Sequence, residues 1–315
     1  MLSTLTVVLP IFALVAAGFF CRRRAILGPS ASSELNRFVV YLALPALLFS
    51  VTAKASWQAL WQPGFAGAFG LGALLVFALT MALRWRGTRH LADAGLDGLN
   101  AAYPNTGYMG FPLGLMAFGP ASLAPVTIGA IITVCIVFAV AIVLIEVGLQ
   151  AERRLGPLLL KVLRSLARNP LLIAPVLGAL WSAGGLALPV AATRFIDLLG
   201  ASASPCALVG LGLFLAERRT TGSADRPAAL LLTALKLIVQ PAVTWVLAYH
   251  VFGLPPLTAD LAVMLAALPT GTGPFMLAEY YDREADVTAR TILYSTLGSV
   301  VTLALFLWLS GHTGG

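Results

Sequence analysis

Long apolar runs alternate along the chain with short polar and basic connectors. A helix needs about 20 apolar residues to cross the hydrocarbon core of a bilayer. Ten segments come near that length, at 4–21, 35–53, 64–83, 92–118, 121–148, 169–186, 190–216, 227–252, 257–281 and 288–310. The pattern predicts an all-α polytopic membrane protein of ten transmembrane helices. Composition agrees: 59% of residues are hydrophobic and 10% charged, against roughly 25% charged in an ordinary globular domain.

The connectors set the orientation. Three Lys or Arg residues follow each of spans one, three and seven, five follow span five and two follow span nine, so 16 of the 20 lie in odd-to-even connectors. Basic loops stay in the cytoplasm, which places both termini outside it. At the start, "MLSTLTVVLPIFALVAAGFFCRRR" carries its arginines after the apolar run, the reverse of a cleaved secretory signal. The net charge of +7 is therefore topological; with no basic stripe interleaved with aromatics, it does not predict a nucleic-acid partner.

The longest polar connector, "QAERRLGPLLLKVLRSLARN", divides the chain into residues 1–150, a cytoplasmic linker at 151–168, and residues 169–315. Landmarks recur across it. Pro10 returns as Pro170, Gly18 as Gly178 and Pro45 as Pro205, all at an offset of 160, and "AAYPNTG" aligns with "AALPTGT" at an offset of 165. Chance is the alternative in a chain with 19 prolines and 30 glycines. A duplicated unit of five spans inserts with opposite topology, so the halves are expected to form an inverted repeat, as in many secondary transporters.

Spans four and nine are unusual. Pro104, Asn105, Thr106 and Gly107 interrupt the first, and Pro269, Thr270, Gly271 and Thr272 the second. Proline lacks a backbone N–H and disturbs the helical ladder, and unpaired polar groups in lipid cost several kcal/mol each. Broken backbone at that depth is tolerated only in protein or against a cavity. Two broken helices crossing near the midplane would direct freed N–H groups to one side and carbonyls to the other, an ion and anion site built from backbone. Simple proline kinks are the plainer reading.

Other polar residues in apolar runs are candidates. Lys236 lies deep in span eight, where a lysine costs about 3 kcal/mol unless paired; it reads as a fixed cation near the crossing, charge-compensating or standing in for a coupling ion, or as an anchor reaching back to the interface. Ser202 and Ser204 of "GASASPC" either allow close helix packing or line a substrate cavity. Asp97 and Glu279 are expected to solvate helix ends, and Arg194 with Asp197 to pair on one helical face. Cys21, Cys135 and Cys206 and the three histidines show no metal or disulfide pattern, and no cofactor is expected.

"LNRFVVYLALPALLF", "YPNTGYMGFPL", "RNPLLIAPVLG" and "LAALPTGTGPFMLAEYY" together resemble the auxin efflux carrier family, whose bacterial members include malonate and malate carriers. The resemblance covers essentially the whole chain. It implies a scaffold of spans one, two, six and seven, a mobile transport domain of spans three to five and eight to ten, and a homodimer joined through the scaffold. The short linker fits a compact bacterial carrier in the cytoplasmic membrane, and Thr270 to Thr272 stand where some relatives carry a bulkier amide. The expected function is secondary transport of a small organic anion, a mono- or dicarboxylate, by alternating access, with a proton or sodium as coupling ion. The rivals are a sodium symporter of bile-acid type, which should show an acidic site at the crossing, an intramembrane serine protease, which needs a histidine at matching depth, and a passive channel.

Overall fold

The structure, a computed structural model, describes residues 2–85, 90–149, 156, 160, 164, 167–185, 188–217 and 226–311. Most of the expected linker, Arg86, Arg89, Arg218 and Arg219 lie outside the described residues, as does the side chain of Glu279. The described chain is helical, with no strand beyond one isolated bridge.

In chain order the main helices are α1 Leu2–Arg23, α2 Ala31–Lys54, α3 Pro63–Arg84, α4 Leu91–Ala102, α5 Phe111–Phe118, α6 Pro120–Leu149, α7 Pro170–Ala183, α8 Val190–Leu215, α9 Arg226–Val251, α10 Pro256–Ala267, α11 Gly273–Tyr280 and α12 Ala285–Leu309. Among the described residues six of these, α2, α3, α6, α8, α9 and α12, are long and apolar enough to cross a membrane unaided, while α7 and α10 are shorter apolar helices. Expected spans four and nine each appear as two pieces, α4 with α5 and α10 with α11.

Lipid-facing and protein-facing sides separate cleanly. On α3, Leu71, Leu75, Leu79 and Leu83 form an exposed stripe at every fourth residue, while Phe65, Phe69, Ala73, Val76 and Phe77 are buried behind it. Such an all-apolar helix has both its faces satisfied, one by lipid and one by neighbouring helices. Prolines are accommodated by local widening: π-helical turns at Val39–Ala43, Thr106–Gly110 and Leu235–Val239 end two residues before Pro45, Pro112 and Pro241. The wider turn relieves the clash between a proline ring and the carbonyl four residues earlier.

The closest packing falls into two sets. α1 lies against the second half of α8, and α7 against α2; α4 packs on α3 and α6, and α9 on α10 and α12. In the first set the backbones nearly touch. A Cβ on Gly18 would stand 2.1 Å from the Val209 carbonyl oxygen, and one on Gly178 would stand 2.6 Å from that of Phe49. Gly18 to Gly178 and Phe49 to Val209 are both separations of 160 residues, so the two contacts exchange equivalent positions.

Candidate functional site

The two interrupted helices meet at their breaks. Tyr103 and Leu268, each preceding a proline, have ψ angles of 85° and 150°, outside the helical region that a following proline disfavours. Pro104 and Thr270 form an antiparallel bridge. The Asn105 N–H donates to the Pro269 carbonyl at 2.8 Å, and the Gly271 N–H to the Tyr103 carbonyl at 3.0 Å. Each break thus satisfies the other's backbone, which offsets the penalty of opening a helix in lipid. These two N–H groups therefore do not face a cavity, as freed donors at the crossing were expected to.

The four half-helices are arranged with a consistent polarity. The ends of α4 and α10 carry the negative pole of the helix dipole, and both are met by side chains from α9. Lys236 Nζ donates to the Ala266 carbonyl at 2.6 Å, and Gln240 Nε2, one turn along, to the Ala102 carbonyl at 3.4 Å. Lys236 is fully buried, so its ammonium reaches the crossing and does not snorkel to an interface. Further bonds lock the crossing: Thr270 Oγ1 donates to the Asn100 carbonyl, the Thr270 N–H to Ser295 Oγ, and Asn100 Nδ2 to Thr288 Oγ1. The Thr270 hydroxyl is engaged inside the protein and does not face a cavity.

The opposite, positive ends look into open space. An inner cavity of about 150 Å³ is lined by Pro104, Asn105, Thr106 and Gly107, at the start of the π turn leading into α5, and by Thr272 and Gly273, at the start of α11. Apolar walls come from Leu44, Val134, Phe138 and Leu171. Asn105 lines the cavity and is 4% exposed, and its Nδ2 is itself buried with no hydrogen-bond partner. A larger vestibule of about 440 Å³ adjoins it, bounded by Ser32, Ser33 and Asn36 of α2, Cys206, Gly210 and Phe214 of α8, and Phe275 of α11. Among the described residues neither cavity has a lysine or arginine in its wall.

Of the residues singled out in the sequence, Pro104, Asn105, Thr106, Gly107 and Thr272 share the inner cavity, Pro269, Thr270 and Gly271 form its support, and Lys236 stands behind the crossing. Ser202 and Ser204 lie apart from both cavities, and the Ser202 hydroxyl donates to the Leu199 carbonyl. Asp97 does not solvate a helix end: it is fully buried, with Oδ2 2.8 Å from Arg84 Nε. Asp197 is held not by Arg194 but by Lys54, at 2.6 Å, and by the Ser50 hydroxyl. Sequence reasoning passed over Asn36, Asn100, Tyr108, Gln240 and Ser295. Their one legible signal was polarity inside an apolar run.

A family model described as "Membrane transport protein" matches residues 3–307. The chain belongs to that family. This transporter is 31% identical over 307 residues to the "Putative malonate transporter" of Rhizobium meliloti (strain 1021), covering 96% of this chain and 94% of the relative. It is 26% identical over 312 residues to the "Uncharacterized transporter YfdV" of Escherichia coli (strain K12), covering 96% of each. It is also 30% identical over 159 residues to auxin efflux carrier component 1 of Arabidopsis thaliana, covering 49% of this chain and 25% of that one. The auxin efflux carrier resemblance of the sequence is thus shown, and the protein is an integral membrane transporter, not an enzyme.

Proposed function

We propose that this transporter carries a small organic anion, a mono- or dicarboxylate, across the bacterial cytoplasmic membrane by alternating access around the crossing. One observation carries the reading: two half-helices begin at the same buried cavity, together with the unpartnered Asn105 amide. Helix N-termini and amide donors favour an anion. Lys236 and Gln240 hold the negative ends away from the cavity on its far side. The malonate named for the Rhizobium relative is an anion of this class. Lys236 serves as a fixed charge, favouring a carboxylate through the crossing or taking the place of a coupling sodium.

The division into moving parts is the one the family resemblance implies, and the two packing sets support it. Spans one, two, six and seven act as scaffold, and spans three to five and eight to ten as the transport domain, in two inverted five-helix repeats; the exchanged Gly18–Val209 and Gly178–Phe49 contacts support that symmetry. The family resemblance extends this to a homodimer joined through the scaffold. The vestibule adjoins a polar recess lined by Arg22, Arg23 and Glu217, the end that the positive-inside rule assigns to the cytoplasm, so the cavity described here faces inward and both termini lie outside.

Direct binding to detergent-purified protein tests the site. A panel of mono- and dicarboxylates including malonate is titrated into the unsubstituted protein and into Asn105→Ala. A hydrogen bond to a charged group contributes about 1.5 to 3 kcal/mol, so affinity should fall roughly tenfold to a hundredfold, at 1.4 kcal/mol per decade. Thr270→Ala should weaken binding less, because its hydroxyl is already bonded to Asn100. Unchanged affinity in folded Asn105→Ala places the anion elsewhere.

A further inference from the structure

The inner cavity and the vestibule are not two unrelated spaces. Asn36, Tyr108, Thr272 and Met276 line both, so these four side chains surround the neck between them. Two of them are joined across it: the Tyr108 phenol, on the π turn after the first break, donates to Asn36 Oδ1 on α2. Tyr108 is 8% exposed, and its ring is part of the buried core. Asn105, the donor left unpartnered, lies on the inner side of this bond and not in the vestibule wall.

We propose that the Tyr108–Asn36 hydrogen bond is an inner gate that closes the Asn105 cavity to solutes in the vestibule. Its location supports this. One partner belongs to the turn that starts at the crossing, and the other to α2, which packs with α7 and α8. A solute moving from Ser32 and Ser33 through this neck towards Asn105 passes the pair. The bond is between neutral groups, and such bonds contribute modestly on balance, which suits a gate that opens on every transport cycle. The inference deepens the anion-site reading but does not need the substrate's identity.

A thiol reporter tests it without any substrate. A Cβ at Gly107 would meet only Leu44 Cδ1, at 3.6 Å, so Gly107→Cys fits the inner cavity wall, and Ser32→Cys reports on the vestibule. Both are built in a background lacking Cys21, Cys135 and Cys206, and labelling by a charged methanethiosulfonate reagent is timed on purified protein. Removing the hydroxyl with Tyr108→Phe should speed Gly107→Cys labelling about tenfold and leave Ser32→Cys unchanged. Asn36→Leu should act like Tyr108→Phe, whereas Asn36→Asp keeps an acceptor and should stay slow. Equal Gly107→Cys rates with and without the Tyr108 hydroxyl, or equal acceleration at both reporters, overturns the gate. Because the readout is reagent access, a failure here leaves the Asn105 binding result standing, and the reverse also holds.

Discussion

Lys236 is the residue on which the proposed electrostatics of the site turn. Its ammonium is fully buried and donates 2.6 Å to the Ala266 carbonyl, at the negative end of α10. The proposed fixed-charge role requires the amine to stay protonated, which would stabilise the helix end and put a positive charge behind the crossing. Lys236→Gln keeps a hydrogen-bond donor but removes that charge. Uptake into liposomes should fall at least about tenfold, the change that 1.4 kcal/mol produces, with expression and thermal stability near those of the unsubstituted protein. Near-normal uptake by Lys236→Gln would make this residue a structural cap alone. Its presence in an apolar run was plain in the sequence, but its orientation was not, because a four-carbon stem can reach either an interface or a neighbouring helix.

At the scale of elements, the glycines decide how closely helices cross. A Cβ on Gly178 would meet Thr52 Oγ1 at 2.1 Å and the Phe49 carbonyl at 2.6 Å, so even alanine forces α7 away from α2. Overpacking of this kind costs roughly 1 to 3 kcal/mol. Gly178→Ala should therefore lower the melting temperature of the purified protein by several degrees, and Gly18→Ala, its counterpart against Val209, should do the same. Gly28→Ala is the control, since nothing lies within 4 Å of a Cβ there. Equal melting temperatures for Gly178→Ala and Gly28→Ala would mean that α7 and α2 can separate freely. Helix limits were legible from hydropathy because lipid imposes a minimum apolar length; expected span 64–83 and observed Pro63–Arg84 differ by one residue at each end. The gap between α4 and α5 was legible as Pro104 but its closure was not, since the groups that satisfy it, the Pro269 carbonyl for the Asn105 N–H and the Gly271 N–H for the Tyr103 carbonyl, lie 164 and 168 residues further along the chain.

For the whole molecule, orientation is the first thing to test. Sixteen of the 20 Lys and Arg lie on one predicted side, so a single cysteine at Gly28, in a cysteine-free background, should react with an impermeant thiol reagent only after cells are opened. One at Thr258, after the outer end of α9, should react in intact cells. Labelling of both from outside would reject the inverted arrangement. The proposed function predicts that reconstituted protein takes up carboxylates when a gradient is imposed. Separate proton and sodium gradients then identify the coupling ion, and uptake driven by sodium alone would count against Lys236 replacing that ion.

The sequence by itself determined the membrane class, the helix limits, the two broken spans and the family, because each depends on local properties: apolar run length, the missing N–H of proline, and motifs read in order along the chain. Tertiary structure alone decided which polar groups are available. Asn105 and Thr270 follow their prolines identically in sequence, yet the Asn105 Nδ2 is left without a partner while the Thr270 hydroxyl donates to Asn100. Lys236 and Gln240 find the ends of α10 and α4 only once α9 is laid across both, and Tyr108 finds Asn36 72 residues earlier in the chain. A buried polar side chain is costly unless it is paired, and whether it finds a partner, and which one, is set by how the helices are brought together, which no local pattern encodes.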